Sequence, residues 1–168
     1  MFALVRTSTL AILLAVTLVA GGLAGCANQV PTPSAALGPD GLPVEPGTAR
    51  DFSINVGNTV YFTTDSWDLT PDAQQTLRNQ ATWLNQYPQH TVLIEGHADE
   101  RGTREYNLAL GARRAATVRD FLTAQGINAA RMRTISYGKE RPVAVCDDIS
   151  CWSQNRRSVT QLNERPGS

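Results

Sequence analysis

The chain has 168 residues, with 15 basic and 15 acidic side chains and no net formal charge. Its first quarter does not resemble a protein core, so the length accommodates one small domain with a single hydrophobic core. A chain with balanced charge produces no overall field that would concentrate a polyanion, which argues against a nucleic-acid partner. A charged ligand would have to be bound by nearby charged groups.

The first 25 residues have the pattern of a bacterial secretory signal peptide. Arg6 precedes an apolar run that is too short to span a membrane comfortably, and small residues follow the run. Residues 23–26, with the sequence LAGC, resemble a lipobox, in which the cysteine is acylated and becomes the first mature residue. We therefore predict lipidation at Cys26, where several acyl chains would give a stable anchor; an ordinary signal peptide with an accidental cysteine is the alternative. Ala27 in place of an aspartate points to the outer membrane, by resemblance to lipoprotein sorting.

Residues 26–50 form a predicted tether between the lipid anchor and a folded domain. The segment contains five prolines and three glycines and few large apolar residues, a composition typical of a linker. Fully extended, it would span at most roughly 80 Å. We expect the folded domain to occupy residues 51–163 and residues 164–168 to form a C-terminal tail.

Strand and helix patterns alternate along the predicted domain. Thr70 is a predicted N-cap with Pro71 at the first helical position, and a second helix is predicted from about Glu105 to Ala124, where Gly126 stops it. The remaining predicted elements are strands within residues 58–64, 90–96, 133–138 and 158–162 and a short helix within residues 149–157. This order predicts an α/β (α+β) sandwich, with helices packed on one side of a mixed four-stranded sheet whose strand order the sequence does not give.

Residues 95–115 concentrate charge where a predicted buried strand leads into the second helix. This segment holds four acidic residues, four arginines, one histidine and three glycines. At about 100° per residue, the inward helix face is predicted to contain Leu108, Gly111, Ala115, Val118 and Leu122. Arg113 then lies almost opposite that face and is predicted to be solvated. Arg114 lies on its flank, where a partly desolvated guanidinium makes stronger hydrogen bonds.

Asp99 and Arg114 could face one another across a gap at the end of the strand. Such a pair would suit a zwitterion, because the aspartate can hold an ammonium group and the planar guanidinium can hold a carboxylate. The alternative from the charge pattern alone is a solvated charged turn.

Catalytic and metal chemistries find less support in the sequence. Zinc needs three or four ligands, and only His90 and His97 could supply imidazoles, in no recognised spacing. No nucleophile elbow or triad is identifiable. We therefore predict no metal, no cofactor and no enzymatic activity.

Three ordered motifs carry a resemblance to a known family. The stretches GHADERGTREYNLALGARRA (residues 96–115), SYGKERP (136–142) and NRR (155–157) resemble the OmpA-like peptidoglycan-binding domain family over about residues 56–162. The lipobox and tether match the lipoprotein branch of that family, and VCDDISCWSQNRR (145–157) resembles its alphaproteobacterial members. The resemblance implies non-covalent binding of the peptidoglycan stem peptide through its meso-diaminopimelate residue. A wall-modifying peptidase or amidase is the alternative from another class, and a stator or porin homologue that shares this domain is a third.

The family motifs can be carried onto individual positions of this chain. They imply that Asp99 and Arg114 bind diaminopimelate, that Asp65 lines the same pocket, and that Asn107 shapes the loop more than it contacts the ligand. The sequence departs from the usual pattern at Ala98, where threonine is widespread, and at Thr64, where an aromatic residue is frequent. The last strand, SVTQL, also departs from the usual apolar and acidic sequence.

The resemblance also implies partners and a location. They are TolB and the other components of the Tol-Pal system, with the domain facing the periplasm and the lipid anchor in the outer membrane. Anchoring of that membrane to the wall, envelope integrity and cell division would be the cellular roles.

Two cysteines, Cys146 and Cys151, follow the last predicted turn. Their short separation can support a disulfide, which an oxidising periplasm favours. Closing so short a loop would stiffen the region locally more than it stabilises the whole fold. Two free thiols are the alternative.

Overall fold

In a computed structural model of the chain, residues 37–163 are described. The predicted signal peptide, the lipidation site Cys26 and the predicted tail at residues 164–168 lie outside the described residues, as does the first part of the predicted tether. Residues 37–163 lie within one compact unit. Within residues 37–163, every helix is too short or too polar to cross a membrane.

Within residues 37–163, the four predicted strands and three predicted helices are present in the predicted order, and a short first helix was not predicted. The chain runs through α1 (Ala49–Asp51), a π-helical turn (Phe52–Val56), β1 (Thr59–Tyr61), α2 (Pro71–Gln86), β2 (Thr91–His97), α3 (Arg104–Ala124), a 3-10 turn (Ala129–Arg131), β3 (Met132–Gly138), α4 (Ile149–Asn155) and β4 (Arg157–Asn163). Side-chain caps explain where the longer helices begin. Thr70 accepts a hydrogen bond from the backbone N–H of Ala73, and Thr103 accepts one from that of Tyr106.

The four strands form one mixed sheet in the order β1-β4-β2-β3. β2 and β3 are parallel, whereas β4 lies between β1 and β2 and is antiparallel to both. The last strand, whose sequence departs from the family pattern, is therefore central and hydrogen-bonded on both edges.

Helices α2 and α3 cover one face of this sheet. Alternate strand residues Val92 and Ile94 enter a core with Leu77 and Leu84 of α2 and Val118 of α3. Tyr61 and Ile135 are exposed on strands at the two edges of the sheet. The prediction of an α/β sandwich with helices on one side of a mixed four-stranded sheet is confirmed.

Helix α3 buries four of the five residues of the predicted inward face, and only its first turns differ from the prediction. Leu108 is 45% exposed, whereas Asn107, Leu110 and Arg114 are buried. The prediction for Leu108 is therefore wrong, and Arg114 is more deeply buried than a flank position implies. The physical reason is that polar side chains can be buried when loops supply hydrogen-bond partners, which an apolar pattern does not reveal.

Residues 37–50, the described part of the predicted tether, pack against the domain. Val44 is buried, and the Asp51 carboxylate accepts hydrogen bonds from the Gly47 N–H and the Trp83 indole, both at 2.8 Å. The His90 ring and the Gly47 carbonyl oxygen are 2.9 Å apart. Composition did not predict this packing, because one buried valine among prolines and glycines is a weak signal.

Candidate functional site

A cavity of about 240 Å³ opens where the loop after β2 meets the start of α3 and the loop after β1. Its lining consists of Thr64, Asp65, Asp99, Arg101, Gly102, Tyr106, Asn107 and Leu110. Three of the four predicted ligand-binding residues therefore line one cavity. Arg114, the fourth, is not among the lining residues.

Asp99 follows directly on β2 and carries two arginine partners. Its Oδ2 accepts hydrogen bonds from Nη2 of Arg101 at 2.7 Å and from Nη1 of Arg156 at 3.3 Å. Its Oδ1 accepts from Nε and from the backbone N–H of Arg101, both at 3.2 Å. Burial alone would raise the pKa of the Asp99 carboxyl, but these hydrogen bonds outweigh it and hold the pKa below its ordinary value. Asp99 is therefore ionised at neutral pH.

Arg114 lies fully buried beneath the loop after β1. Its Nη1 donates to the His97 carbonyl oxygen at 2.7 Å, its Nε to that of Ser66 at 2.8 Å, and its Nη2 to that of Thr63 at 3.3 Å. The guanidinium also lies 5.1 Å from the ring centre of Phe62.

Burial shapes the charge of Arg114. Loss of solvation lowers the pKa of Arg114 to about 10, although the negative charge of Asp99 opposes the change. The side chain stays protonated at neutral pH. Asp99 and Arg114 thus influence one another through space, while each makes its direct hydrogen bonds to other groups.

Asp65 and Tyr106 form one edge of the cavity. Asp65 adopts a left-handed backbone conformation, with φ of 55°, which is uncommon for a residue other than glycine. The Tyr106 hydroxyl donates a hydrogen bond to the Asp65 carboxylate, and this bond raises the pKa of Tyr106. Tyr106 was not among the predicted site residues, although its place in the first turn of the second helix was visible in the sequence.

Asn107 joins the helix to the loop after β2. Its Nδ2 donates to the Arg101 carbonyl oxygen at 2.7 Å, and its side chain is buried. The next residue of the loop, Gly102, has φ of +86°, a conformation that L side chains rarely adopt. Asn107 and Gly102 together fix the path of the loop that carries Asp99.

Arg101, Trp152 and Arg156 were missed as site residues by the sequence analysis. Arg156 donates from Nε to the Phe62 carbonyl oxygen at 3.2 Å besides contacting Asp99. The Arg101 guanidinium lies 4.2 Å from the ring centre of Trp152, whose indole N–H donates to the Glu100 carboxylate. The motif NRR contained the signal for Arg156, but no spacing in the sequence links it to Asp99.

A second cavity, of about 400 Å³, lies beside the loop after β2. It is lined by Ala98, Glu100, Lys139, Asn155 and, from the loop after β3, Pro142 and residues 144–147. In the structure Cys146 and Cys151 form a disulfide, with a Cα–Cα distance of 5.6 Å.

Within residues 37–163, no group of three or more His, Cys, Asp or Glu side chains is arranged to hold a metal ion. His97 is buried beside Tyr137, with 5.6 Å between the ring centres. Burial, with the nearby charges of Arg157 and Arg141, lowers the pKa of His97 to about 4. This histidine is therefore neutral at physiological pH.

Comparisons with known proteins place the chain in a family. Residues 61–156 match the model of the OmpA family. The chain is 64% identical over 143 residues to the peptidoglycan-associated lipoprotein of Agrobacterium fabrum, covering 83% of this chain and 81% of that protein. A crystal structure of the peptidoglycan-associated lipoprotein from Burkholderia pseudomallei is 44% identical, with a TM-score of 0.62, and the match covers 63% of this chain and 90% of that one.

A more distant solved structure shares the fold alone. The C-terminal domain of Helicobacter pylori MotB is 21% identical with a TM-score of 0.61, and the match covers 65% of this chain and 86% of that domain. By the family match and the identity to the Agrobacterium protein, the chain belongs to the OmpA family and, within it, to the peptidoglycan-associated lipoproteins.

Proposed function

We propose that this protein binds peptidoglycan without cutting it, by holding the free zwitterionic end of meso-diaminopimelate in the stem peptide. Asp99 accepts the ammonium group and Arg114 donates to the carboxylate, with Asp65 and Asn107 lining the same pocket. The observation that carries the proposal is the ionised Asp99 carboxylate on the wall of a ligand-sized cavity. Arg114 is protonated, and the negative charge of Asp99 raises its pKa against the effect of burial. The peptidoglycan named in the relatives' description supports the choice of polymer.

The donors of Arg114 support its part in this proposal. An arginine has five N–H donors, and the hydrogen bonds to described residues account for three of them. Two donors remain for a carboxylate. Because Arg114 is fully buried in the structure, binding includes a local movement of the loop at residues 63–66 or of the Tyr106 side chain.

The location and partners follow from the same proposal. Lipidation at Cys26 would hold the protein in the outer membrane, so that wall binding by the periplasmic domain ties that membrane to the peptidoglycan. TolB and the other Tol-Pal components would share the protein with the wall, in support of envelope integrity and cell division. Family membership also confirms the prediction that the chain is not an enzyme.

The test compares two stem peptides that differ at one position. One carries meso-diaminopimelate and the other carries L-lysine, which has the same side-chain ammonium group but lacks the second carboxylate. Calorimetric titration of residues 35–168 should show binding of the first and at least roughly tenfold weaker binding of the second, because a charge-assisted hydrogen bond is lost. Equal affinity for the two peptides would refute zwitterion recognition. Release of fragments on prolonged incubation would indicate an enzyme instead.

A further inference from the structure

Arg101 lies on the carboxylate that the proposed function assigns to the ligand. Its Nη2 donates to Oδ2 of Asp99 at 2.7 Å and its Nε to Oδ1 at 3.2 Å, so the guanidinium contacts both carboxylate oxygens. A ligand ammonium group needs the same oxygen lone pairs. The Arg101 side chain and the ammonium group therefore compete for one acceptor.

Of the two arginines on Asp99, Arg101 is the one that can leave. Its side chain is 41% exposed, so water can solvate the guanidinium once it is released. The Arg156 side chain is only 8% exposed and is also held by the Phe62 carbonyl oxygen at 3.2 Å. Releasing Arg156 would strand a buried charge, which is far more costly. Exchange at Asp99 consequently involves Arg101.

Trp152 completes the environment of the Arg101 side chain. The guanidinium lies 4.2 Å from the centre of the indole ring, a distance at which cation–π attraction operates. The indole is itself fixed by its hydrogen bond to Glu100. Asp99 and Trp152 thus hold the guanidinium from two sides.

We infer that Arg101 is an intramolecular competitor that occupies the ammonium position on Asp99, and that the ligand binds by exchanging with it. The inference rests on the proposed function and makes Arg101 a determinant of specificity. A simple amine only replaces one cation by another on Asp99. A zwitterion also brings a carboxylate, which pairs with Arg114 under the proposed function, so the exchange favours zwitterions.

The first test is calorimetric titration of residues 35–168 with free meso-diaminopimelate. Arg101→Ala is compared with the parent and with Arg104→Ala, which removes the same charge from a nearby side chain that is 70% exposed and pairs with Glu140. We expect Arg101→Ala to bind about two- to fivefold more tightly, the range that corresponds to one exposed ion pair. Arg104→Ala should bind like the parent.

The outcomes separate this inference from the proposed function. Failure of all three proteins to bind diaminopimelate would overturn the proposed function together with the inference. Binding by the parent with equal or weaker affinity in Arg101→Ala would overturn the inference alone.

A second measurement follows the side chain directly. In the ¹⁵N spectrum of the parent, the Arg101 Nε–Hε signal is identified by its loss in Arg101→Ala. At saturating diaminopimelate, this signal should move to the position of a solvated arginine, while the Arg156 signal keeps its dispersed position. An Arg101 signal that stays in place while the ligand binds would overturn the exchange.

Discussion

Replacing Asp99 with asparagine removes the charge at the centre of the proposed site while nearly preserving its shape. The variant keeps one side-chain oxygen as an acceptor for Arg101 or Arg156, but it presents an amide NH₂ group where the second carboxylate oxygen was. We expect the protein to fold. Its affinity for a meso-diaminopimelate stem peptide should fall by about 1.5–3 kcal/mol, or roughly ten- to a hundredfold in Kd, because a charge-assisted hydrogen bond is lost.

The same substitution should alter how stability depends on pH. Burial opposes ionisation of Asp99, but the hydrogen bonds from Arg101 and Arg156 lower its folded-state pKa below the ordinary value of 3.8. The stabilisation is therefore fully present above the unfolded-state pKa and is lost as the pH falls through the lower folded-state value. Below about pH 4, the parent should lose stability more steeply than Asp99→Asn, which has no carboxyl to protonate at this position.

Calorimetry at neutral pH and denaturant unfolding between acid and neutral pH measure the two effects. Asp120→Asn provides a matched control, since it removes the same charge from an exposed side chain that pairs with Arg119. The control should leave affinity unchanged. An Asp99→Asn variant that binds the peptide as tightly as the parent would refute ammonium recognition by Asp99, and parallel acid unfolding would refute the assignment of its pKa.

Three further substitutions or treatments test the packing around the site. Arg114→Ala removes the donor to three carbonyl oxygens and leaves a cavity where the buried guanidinium was, so denaturant titration should show a loss of about 3–5 kcal/mol. Arg113→Ala, at an exposed position, should cost about 1 kcal/mol or less, and equal losses would contradict the burial of Arg114. Gly96→Ala would place a methyl group 1.8 Å from a carbonyl oxygen of α3. The thermal midpoint of this variant should fall by about 10 °C because of the overlap, and an unchanged midpoint would contradict the contact. Reducing the Cys146–Cys151 bond opens a short loop and should lower the free energy of unfolding by about 2 kcal/mol. Identical unfolding curves with and without reductant would argue against the bond.

Local sequence signals predicted the elements well because each has a local physical cause. Thr70 and Pro71 define a helix start by hydrogen bonding and fixed backbone geometry, and Gly126 ends a helix through its positive φ. The burial of α3 was less predictable. Arg114 turns toward the interior because carbonyl oxygens of the loop after β1 and of the last residue of β2 accept its hydrogen bonds. No local pattern records where these acceptors lie.

Residues of the candidate site were predicted where a local motif marks them and missed where a contact distant in sequence places them. Asp99 follows a strand and belongs to a recognisable motif, so its position was predicted. Arg156 reaches Asp99 across 57 residues of chain, because β4 lies beside β2 in the sheet and the sequence did not give that strand order.

Successive residues of the loop after β2 line the two cavities alternately. Asp99 and Arg101 line the candidate ligand cavity, whereas Ala98 and Glu100 line the second cavity beside the disulfide loop. Lys139 donates to the Glu100 and Gly102 carbonyl oxygens at 3.0 and 2.7 Å, which ties the loop to the segment after β3. These two hydrogen bonds hold the loop backbone on one side. On the other side, the exposed Arg101 side chain can exchange with the ligand at Asp99. A rigid carboxylate with a replaceable partner is an arrangement suited to reversible, non-covalent binding.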